Sequence, residues 1–362
     1  MPEESKKPFF QRPANVGQKP LLIAGPCSAE TSEQVLNTAK ALLPLSPDLF
    51  RAGTWKPRTR PNSFEGVGTE ALTWLAAVKQ ATGIKVCTEV ANPQHAELAL
   101  RHGIDVLWLG ARTTVNPFLV QEIADALRGT NVPVMVKNPV NPELALWLGA
   151  FERLAQAGLH DVAAIHRGFS SYGASVYRNP PTWQIPIALK ARCPEIPLLC
   201  DPSHIGGRRE LIQPISQKAL DLNYDGLMIE THLEPDAAWS DAAQQITPAQ
   251  LATLLQHLIF RKPDSVNPEF QHNQEELRAQ IDRIDQELIE ILAQRMAAVE
   301  KIGEFKKQNN VTILQMERWM EIFETRPQWA QQLGLSGEFV KRLYEQIHLE
   351  SIRKQTEVMN QE

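Results

Sequence analysis

The stretch Ile196-Pro197-Leu198-Leu199-Cys200-Asp201-Pro202-Ser203-His204 carries the pattern by which the rest of the chain is read. A short apolar run stops at an acid and, three residues later, a histidine. Runs of this length and composition suit parallel strands buried on both faces. Seven others share the form: LLIAG (21–25), LFRAG (49–53), KVCTEV (85–90), VLWLGA (106–111), VPVMVKN (132–138), VAAIHRG (162–168) and GLMIETH (226–232). Stretches of helical length, such as SEQVLNTAKALL and TEALTWLAAVKQATG, lie between them. Eight β/α units in about 240 residues predict an α/β protein built on a (β/α)8 barrel. A doubly wound sheet is the rival, because strand count alone does not establish closure.

The ends of the runs bear the chemistry. Cys27 follows the first; Arg51, Lys56 and Arg58 follow the second; Glu89 ends the third; Arg112 follows the fourth. Lys137 ends the fifth, His166 and Arg167 the sixth, Asp201 and His204 follow the seventh, and Glu230 and His232 end the eighth. In a barrel these positions converge on the C-terminal face, where active sites of the fold lie.

Composition changes after residue 272. Forty-five residues are Gly or Pro, and 41 of them precede residue 273. Beyond an aperiodic, proline-containing stretch (RKPDSVNPEFQHN, 261–273), the residues Leu277, Ile281, Ile284, Leu288, Ile291, Leu292, Met296, Val299, Ile302 and Phe305 recur at spacings of three and four. That pattern predicts one helix of roughly thirty residues, with further helices over about 314–333 and 337–358. The expected boundaries are 1–262 for a barrel, 263–273 for a linker and 274–362 for an all-helical domain. The length of the first helix suggests a dimer.

Bulk properties exclude other classes. The net charge of −5 gives no basic excess for nucleic acid or an anionic membrane. No apolar run reaches ~18 residues. The N-terminus lacks a secretory h-region, and four cysteines without a CxxC pair do not make a disulfide framework, so a reduced cytoplasm is expected.

Two residue sets stand out in the barrel segment. FRAGTWKPRTRP (50–61) places Arg51, Lys56, Arg58 and Arg60 just beyond a strand; with Arg112, Lys137 and Arg167 they call for a multiply charged anion, with phosphate the favoured group. Cys27, His204, Glu230 and Asp241 offer a thiolate, an imidazole and two carboxylates, a donor set suited to Mn, Fe, Co or Zn.

Ala24-Gly25-Pro26-Cys27-Ser28, Lys56-Pro57-Arg58-Thr59, Gly110-Ala111-Arg112, Asp201-Pro202-Ser203-His204 with Gly206-Gly207-Arg208-Arg209, and Glu230-Thr231-His232-Leu233-Glu234-Pro235 with Ser240-Asp241 occur in order. Over about residues 20–262 this set closely resembles the type I (β subtype) 3-deoxy-D-arabino-heptulosonate 7-phosphate (DAHP) synthases. The resemblance implies a barrel that condenses phosphoenolpyruvate with erythrose 4-phosphate at the head of the shikimate pathway. It implies a divalent metal on Cys27, His204, Glu230 and Asp241. Arg51, Arg112, Lys137 and Arg167 would hold phosphoenolpyruvate, and Arg58 and Thr59 would meet the aldose phosphate. Lys56 would lie between the substrates as proton donor to the aldehyde oxygen. The segment HRGFSSYGASVYRNPPTW matches mainly at Arg167-Gly168. The related 3-deoxy-manno-octulosonate 8-phosphate synthases, which use a five-carbon aldose, carry Ala-Asn after the lysine; Pro57-Arg58 favours the four-carbon substrate.

In the helical segment, Arg295 interrupts the apolar stripe and Lys306 lies eleven residues on, on the same face. Arg278 points about 100° away. Spacing alone leaves a dimeric coiled coil with snorkelling cations as an alternative. Leu277-Arg278, Gln294-Arg295, Gly303-Glu304-Phe305-Lys306, Glu317-Arg318, and Glu350-Ser351 with Gln355 resemble the AroQ-type chorismate mutases over about 270–358. That implies an intertwined homodimer rearranging chorismate to prephenate, with Arg278 from the partner, Arg295 and Arg318 on the carboxylates. Ser351 would support a carboxylate, and Lys306 and Gln355 would face the ether oxygen. Gln315 and Trp319 stand where that family carries an Asp and a Glu around the substrate hydroxyl, and a Trp cannot accept a hydrogen bond. The segment is therefore expected to be a working mutase, a ligand-sensing module through which prephenate or chorismate inhibits the barrel, or both. A dimerisation device is the remaining alternative.

Overall fold

The computed structural model describes residues 8–10, 19–57, 63–173, 175–262 and 264–361. The chain divides into two compact units, residues 1–263 and 264–362.

All eight runs are strands of one closed parallel barrel in sequential order: β1 Leu21–Gly25, β2 Leu49–Arg51, β3 Val86–Val90, β4 Val106–Leu109, β5 Val134–Lys137, β6 Val162–His166, β7 Leu198–Cys200 and β8 Gly226–Glu230. β1 pairs with β8 over its full length, Leu21 opposite Gly226 and Gly25 opposite Glu230. This pairing excludes the doubly wound sheet.

Side chains alternate between the two faces of each strand. Outward residues such as Leu22, Phe50, Leu107, Val136 and Ile229 pack with the surrounding helices in one core cluster. Inward residues Leu21, Ile23, Leu49, Cys87, Val106, Trp108, Met135, Ala163, Ile165, Leu199 and Met228 form a second, in the barrel lumen. Two residues further along their strands, the inward positions become Arg51, Glu89, Lys137, Asp201 and Glu230. The period-2 rule thus sets a charged layer on top of an apolar one. It also corrects the reading of His166: at the even position of β6 this side chain faces the helices. Its ring contacts Phe169, Trp183 and Tyr224, its Nε2 lies 2.6 Å from the Pro181 carbonyl oxygen, and burial brings its pKa down to about 3.

The lumen's apolar layer includes Phe10, from a segment the sequence pattern did not mark as structural. Asp161, just before β6, holds this segment by accepting from the backbone N–H of Phe9 and Phe10 at 2.5 and 2.8 Å.

Among the described residues, the second unit is three helices, Pro268–Gln308, Met316–Gln332 and Gly337–Asn360. The first begins inside the stretch expected to be linker. Asn267 caps it by accepting from the N–H groups of Glu269 and Phe270, and Pro268 occupies its first turn. The proline that reads as a linker breaker is in fact a helix initiator. The apolar stripe is exposed in the single chain: Leu277, Ile281, Ile284, Leu288 and Ile291 are each about half accessible.

Gly25, at φ +145°, ends β1 where a Cβ would lie 2.1 Å from the Arg51 carbonyl oxygen. Gly25→Ala is expected to lower barrel stability by at least ~2 kcal/mol, through backbone strain and this clash, with a matching fall in the denaturation midpoint.

Two candidate active sites

At the top of the barrel, Cys27 Sγ and carboxylate oxygens of Glu230 and Asp241 lie within 4.8 Å of one another. His204 stands at one edge, its Nε2 3.7 Å from Glu230 Oε1. Different local devices place the four. Cys27 follows the β1 turn, and its N–H donates to Gln245 Oε1. Glu230 is the last residue of β8, fully buried, with Gln244 Nε2 donating to its Oε2 at 2.6 Å. Asp241 adopts φ +49°, a left-handed conformation unusual for a non-glycine residue.

Asp201 orders the His204 side. Its Oδ1 caps the short helix Pro202–Gly206 by accepting the His204 N–H. Its Oδ2 lies 2.8 Å from both Lys137 Nζ and His204 Nδ1. With Nδ1 on the Asp201 side, Nε2 lies toward Glu230 and is the ring nitrogen placed for a metal. Burial opposes Asp201's charge, but His204 and Lys137 outweigh it and hold the carboxyl well below the usual range.

The residues fit a divalent first-row cation. Glu230 Oε1 is buried without a hydrogen-bond partner. Burial and the nearby Glu230 carboxylate push the Cys27 thiol up to about 12. A thiol among carboxylates becomes a ligand when a shared cation displaces its proton. Lys56 Nζ donates to Cys27 Sγ at 2.8 Å. Burial works against the Lys56 charge, yet Cys27 and Glu230 outweigh it and raise its pKa.

Cations line the same face. Arg51 is 1% exposed, donates to the Cys27 carbonyl oxygen at 3.0 Å and lies 3.2 Å from Glu230; its Nε and Nη1 are buried and unpaired. Its guanidinium and Lys137 Nζ lie 5.0 and 5.9 Å from the Trp108 ring centroid, with Trp108 Nε1 donating to Glu89. Burial brings Arg167 down to about 10, against the pull of Asp201 and helped by Arg178 and the exposed Arg112. Arg58 and Thr59 lie outside the described residues.

The sequence reading missed Arg178. It donates to Asp241 Oδ1 at 3.0 Å and Gln244 Oε1 at 2.6 Å, while its neighbour Asn179 donates to the His204 carbonyl oxygen. Both belong to HRGFSSYGASVYRNPPTW, where the family resemblance is weakest. Gly207, at φ +71°, leaves room for this arm: a Cβ there would meet Arg178 Cβ at 2.4 Å. His232 belongs to a different cluster, with its Nε2 3.6 Å from Glu30.

In the helical unit, Arg295 Nη1 donates to Ser351 Oγ at 2.8 Å. Lys306 is buried and donates to the Ile313 carbonyl oxygen; burial lowers its pKa. Gln355 is buried with Oε1 unpaired, packed on Gly303, where a Cβ would come 3.3 Å from Gln355 Cγ. Arg318 is exposed and paired with Glu321. Arg326, which the spacing did not single out, acts electrostatically on Arg295 together with Arg318. Arg278 is exposed and, by helix rise, about 25 Å along the axis from Arg295, so one chain does not bring the two together. Gln315 sits at the N-terminal boundary of the second helix without a side-chain cap bond.

Asp201→Asn cannot accept from Lys137 and His204 as a carboxylate does. It is expected to weaken divalent-metal binding about 10- to 100-fold, measured by titration calorimetry on the metal-stripped protein.

Comparison with known proteins bears on the family of each unit. Among curated relatives, the phospho-2-dehydro-3-deoxyheptonate aldolase of Thermotoga maritima is 33% identical over 229 residues, covering 62% of this chain and 64% of that protein. A 2-dehydro-3-deoxyphosphooctonate aldolase of Wolinella succinogenes is 27% identical over 66% of this chain and 98% of its own length. The crystal structure of the Thermotoga maritima DAHP synthase superposes with a TM-score of 0.59 at 30% identity, covering 65% of this chain and 67% of that one; a truncated form gives 0.56 at 28%, covering 65% and 83%. The family model for chorismate mutase type II matches residues 277–356, and that for the DAHP synthetase I family matches residues 12–262. The chain therefore belongs to the DAHP synthetase I family and carries a chorismate mutase type II domain behind its barrel.

Proposed function

We propose that the barrel condenses phosphoenolpyruvate with erythrose 4-phosphate to DAHP and that the helical unit rearranges chorismate to prephenate. The observation that carries the first activity is the buried Cys27–Glu230–Asp241 cluster with Lys56 and Arg51 set against it. Cys27, Glu230, Asp241 and His204 would hold a divalent cation there, which would supply Lewis acidity to the aldehyde oxygen or orient water. The chain's own groups do the rest. Arg51, with two unpaired N–H-bearing nitrogens, together with Arg112, Lys137 and Arg167, binds the phosphate and carboxylate of phosphoenolpyruvate. Lys56, kept protonated by its anionic neighbours, donates a proton to the aldehyde oxygen as it becomes a hydroxyl. Arg58 and Thr59 bind the aldose phosphate, and the Pro57-Arg58 pair favours the four-carbon aldose over the five-carbon one.

The pericyclic step needs no nucleophile. Arg295, Ser351 and Arg318, with Arg278 of the partner subunit, fix the two carboxylates, and Lys306 and Gln355 meet the ether oxygen. The half-exposed apolar stripe of the long helix supports association into a homodimer through this unit. Prephenate or chorismate bound there would inhibit the barrel through differential affinity for two states of the protein.

A chelator is expected to abolish condensation while leaving chorismate rearrangement unchanged, measured on the same intact protein. Lys56→Gln should lower condensation kcat about 10²- to 10⁴-fold with little effect on phosphoenolpyruvate binding. Turnover with arabinose 5-phosphate but not erythrose 4-phosphate would overturn the substrate choice. Synthase kinetics indifferent to prephenate and chorismate would overturn the regulatory reading.

A further inference from the structure

The helical pocket contains a polar atom that its assigned chemistry does not use. His348 lies three residues before Ser351 and seven before Gln355, so the three occupy one face of the third helix at one- and two-turn spacings. Its Nε2 is buried and without a hydrogen-bond partner, as is Gln355 Oε1. The imidazole packs against Trp319 of the second helix, ring centroids 3.9 Å apart and planes at 80°, and Trp319 is backed in turn by Phe323 at 4.4 Å. Two rings from one helix thus fix an imidazole on another with an unpaired nitrogen in a buried position.

Charge decides what that nitrogen recognises. Burial and the adjacent Arg295 both lower the His348 pKa, which keeps the ring neutral. Arg318 and Arg326 of the second helix and Tyr344, one turn back on the third, act on Arg295 in turn. Carboxylates of a bound ligand belong to these guanidinium groups. A neutral imidazole complements an uncharged hydroxyl, accepting its proton in a hydrogen bond or donating to its oxygen. A buried polar atom left unpaired is costly, so a ligand that satisfies it is favoured over one that does not.

We propose that His348, braced by Trp319, is the specificity residue of the helical pocket and hydrogen-bonds the ring hydroxyl of the bound cyclic dicarboxylate. The proposal rests on the reading of this pocket as a chorismate site. It turns the Trp319 departure into part of the device, since Trp319 itself cannot accept from a hydroxyl and serves as the wall that orients His348.

The test uses the full-length protein. His348→Ala is expected to lower kcat/KM for chorismate about 10- to 100-fold, and His348→Gln, which keeps both a donor and an acceptor, to recover most of that loss. A chorismate analogue lacking the ring hydroxyl should bind the wild type at least about tenfold more weakly than chorismate, and His348→Ala should not distinguish the two. If the hydroxyl donates to Nε2, protonation of His348 removes the acceptor. The wild-type kcat/KM should then fall at acid pH, below the ordinary imidazole range, a limb absent from His348→Gln. Unchanged kcat/KM in His348→Ala, or equal discrimination against the analogue by wild type and both variants, overturns the assignment. Wild-type protein that neither turns over nor binds chorismate overturns the underlying pocket reading instead. If it binds without turnover, the same comparison is made on dissociation constants.

Discussion

One buried carboxylate organises the barrel site. Asp201 sits at the end of β7 with no exposure, yet it meets Lys137 from β5 and both the backbone and ring of His204. A lone charge at that depth is prohibitive; with two basic partners and a helix N-terminus it becomes the fixed point of the site. The positions of the Lys137 ammonium and of the His204 ring, and hence the direction of its Nε2, follow from it. Asp201 itself coordinates nothing in this arrangement, and its contribution is orientation.

The two units place their charged side chains differently. The barrel fixes charges on strand ends, where the interior layer mixes cationic and anionic side chains and Arg51 and Lys137 also meet the Trp108 ring. Position is set by eight strands that cannot slide without exposing the apolar layer beneath. The helical unit sets Arg295 and Lys306 on one helix against Ser351 and Gln355 on another. Its precision depends on helix packing, for example the close approach of Gln355 to Gly303. A half-exposed apolar stripe runs along its longest helix, and the Arg278 that the mutase resemblance assigns to the pocket lies far from it in the same chain.

Much of the architecture was legible in the sequence because parallel strands buried on both faces read as continuous apolar runs, and all eight did. The charged ends were legible for the same reason: Arg51, Lys137, Asp201 and Glu230 each lie two residues beyond an inward apolar residue. His166 shows the limit of that reading, since a polar residue at a strand end can belong to either face and only register decides. Arg178 was hidden because it lies in an irregular loop, where no periodicity links position 178 to position 241. His348 was hidden for another reason. A histidine at helical spacing is indistinguishable from a core filler until its nitrogen is seen without a partner. The periodicity of the long helix is legible but its start is not, because an asparagine followed by a proline has the composition of a linker and here forms a cap.

The barrel's closure has a consequence for how the chain is made. Phe10 belongs to the apolar floor of the lumen, but the carboxylate that holds its segment is 151 residues away, and β1 finds its second neighbour only in β8. Cys27 reaches its partners Asp241 and Gln245 across more than 200 residues. During synthesis from the N-terminus, the first strand leaves the ribosome long before the segments that complete it. Apolar edges of β1 stay open through the translation of the intervening units, and the contacts that seal them are among the most non-local in the molecule, which slows their formation. The candidate metal donors Cys27, Glu230 and Asp241 come together only at that last closure, so the growing chain does not assemble them before the barrel exists.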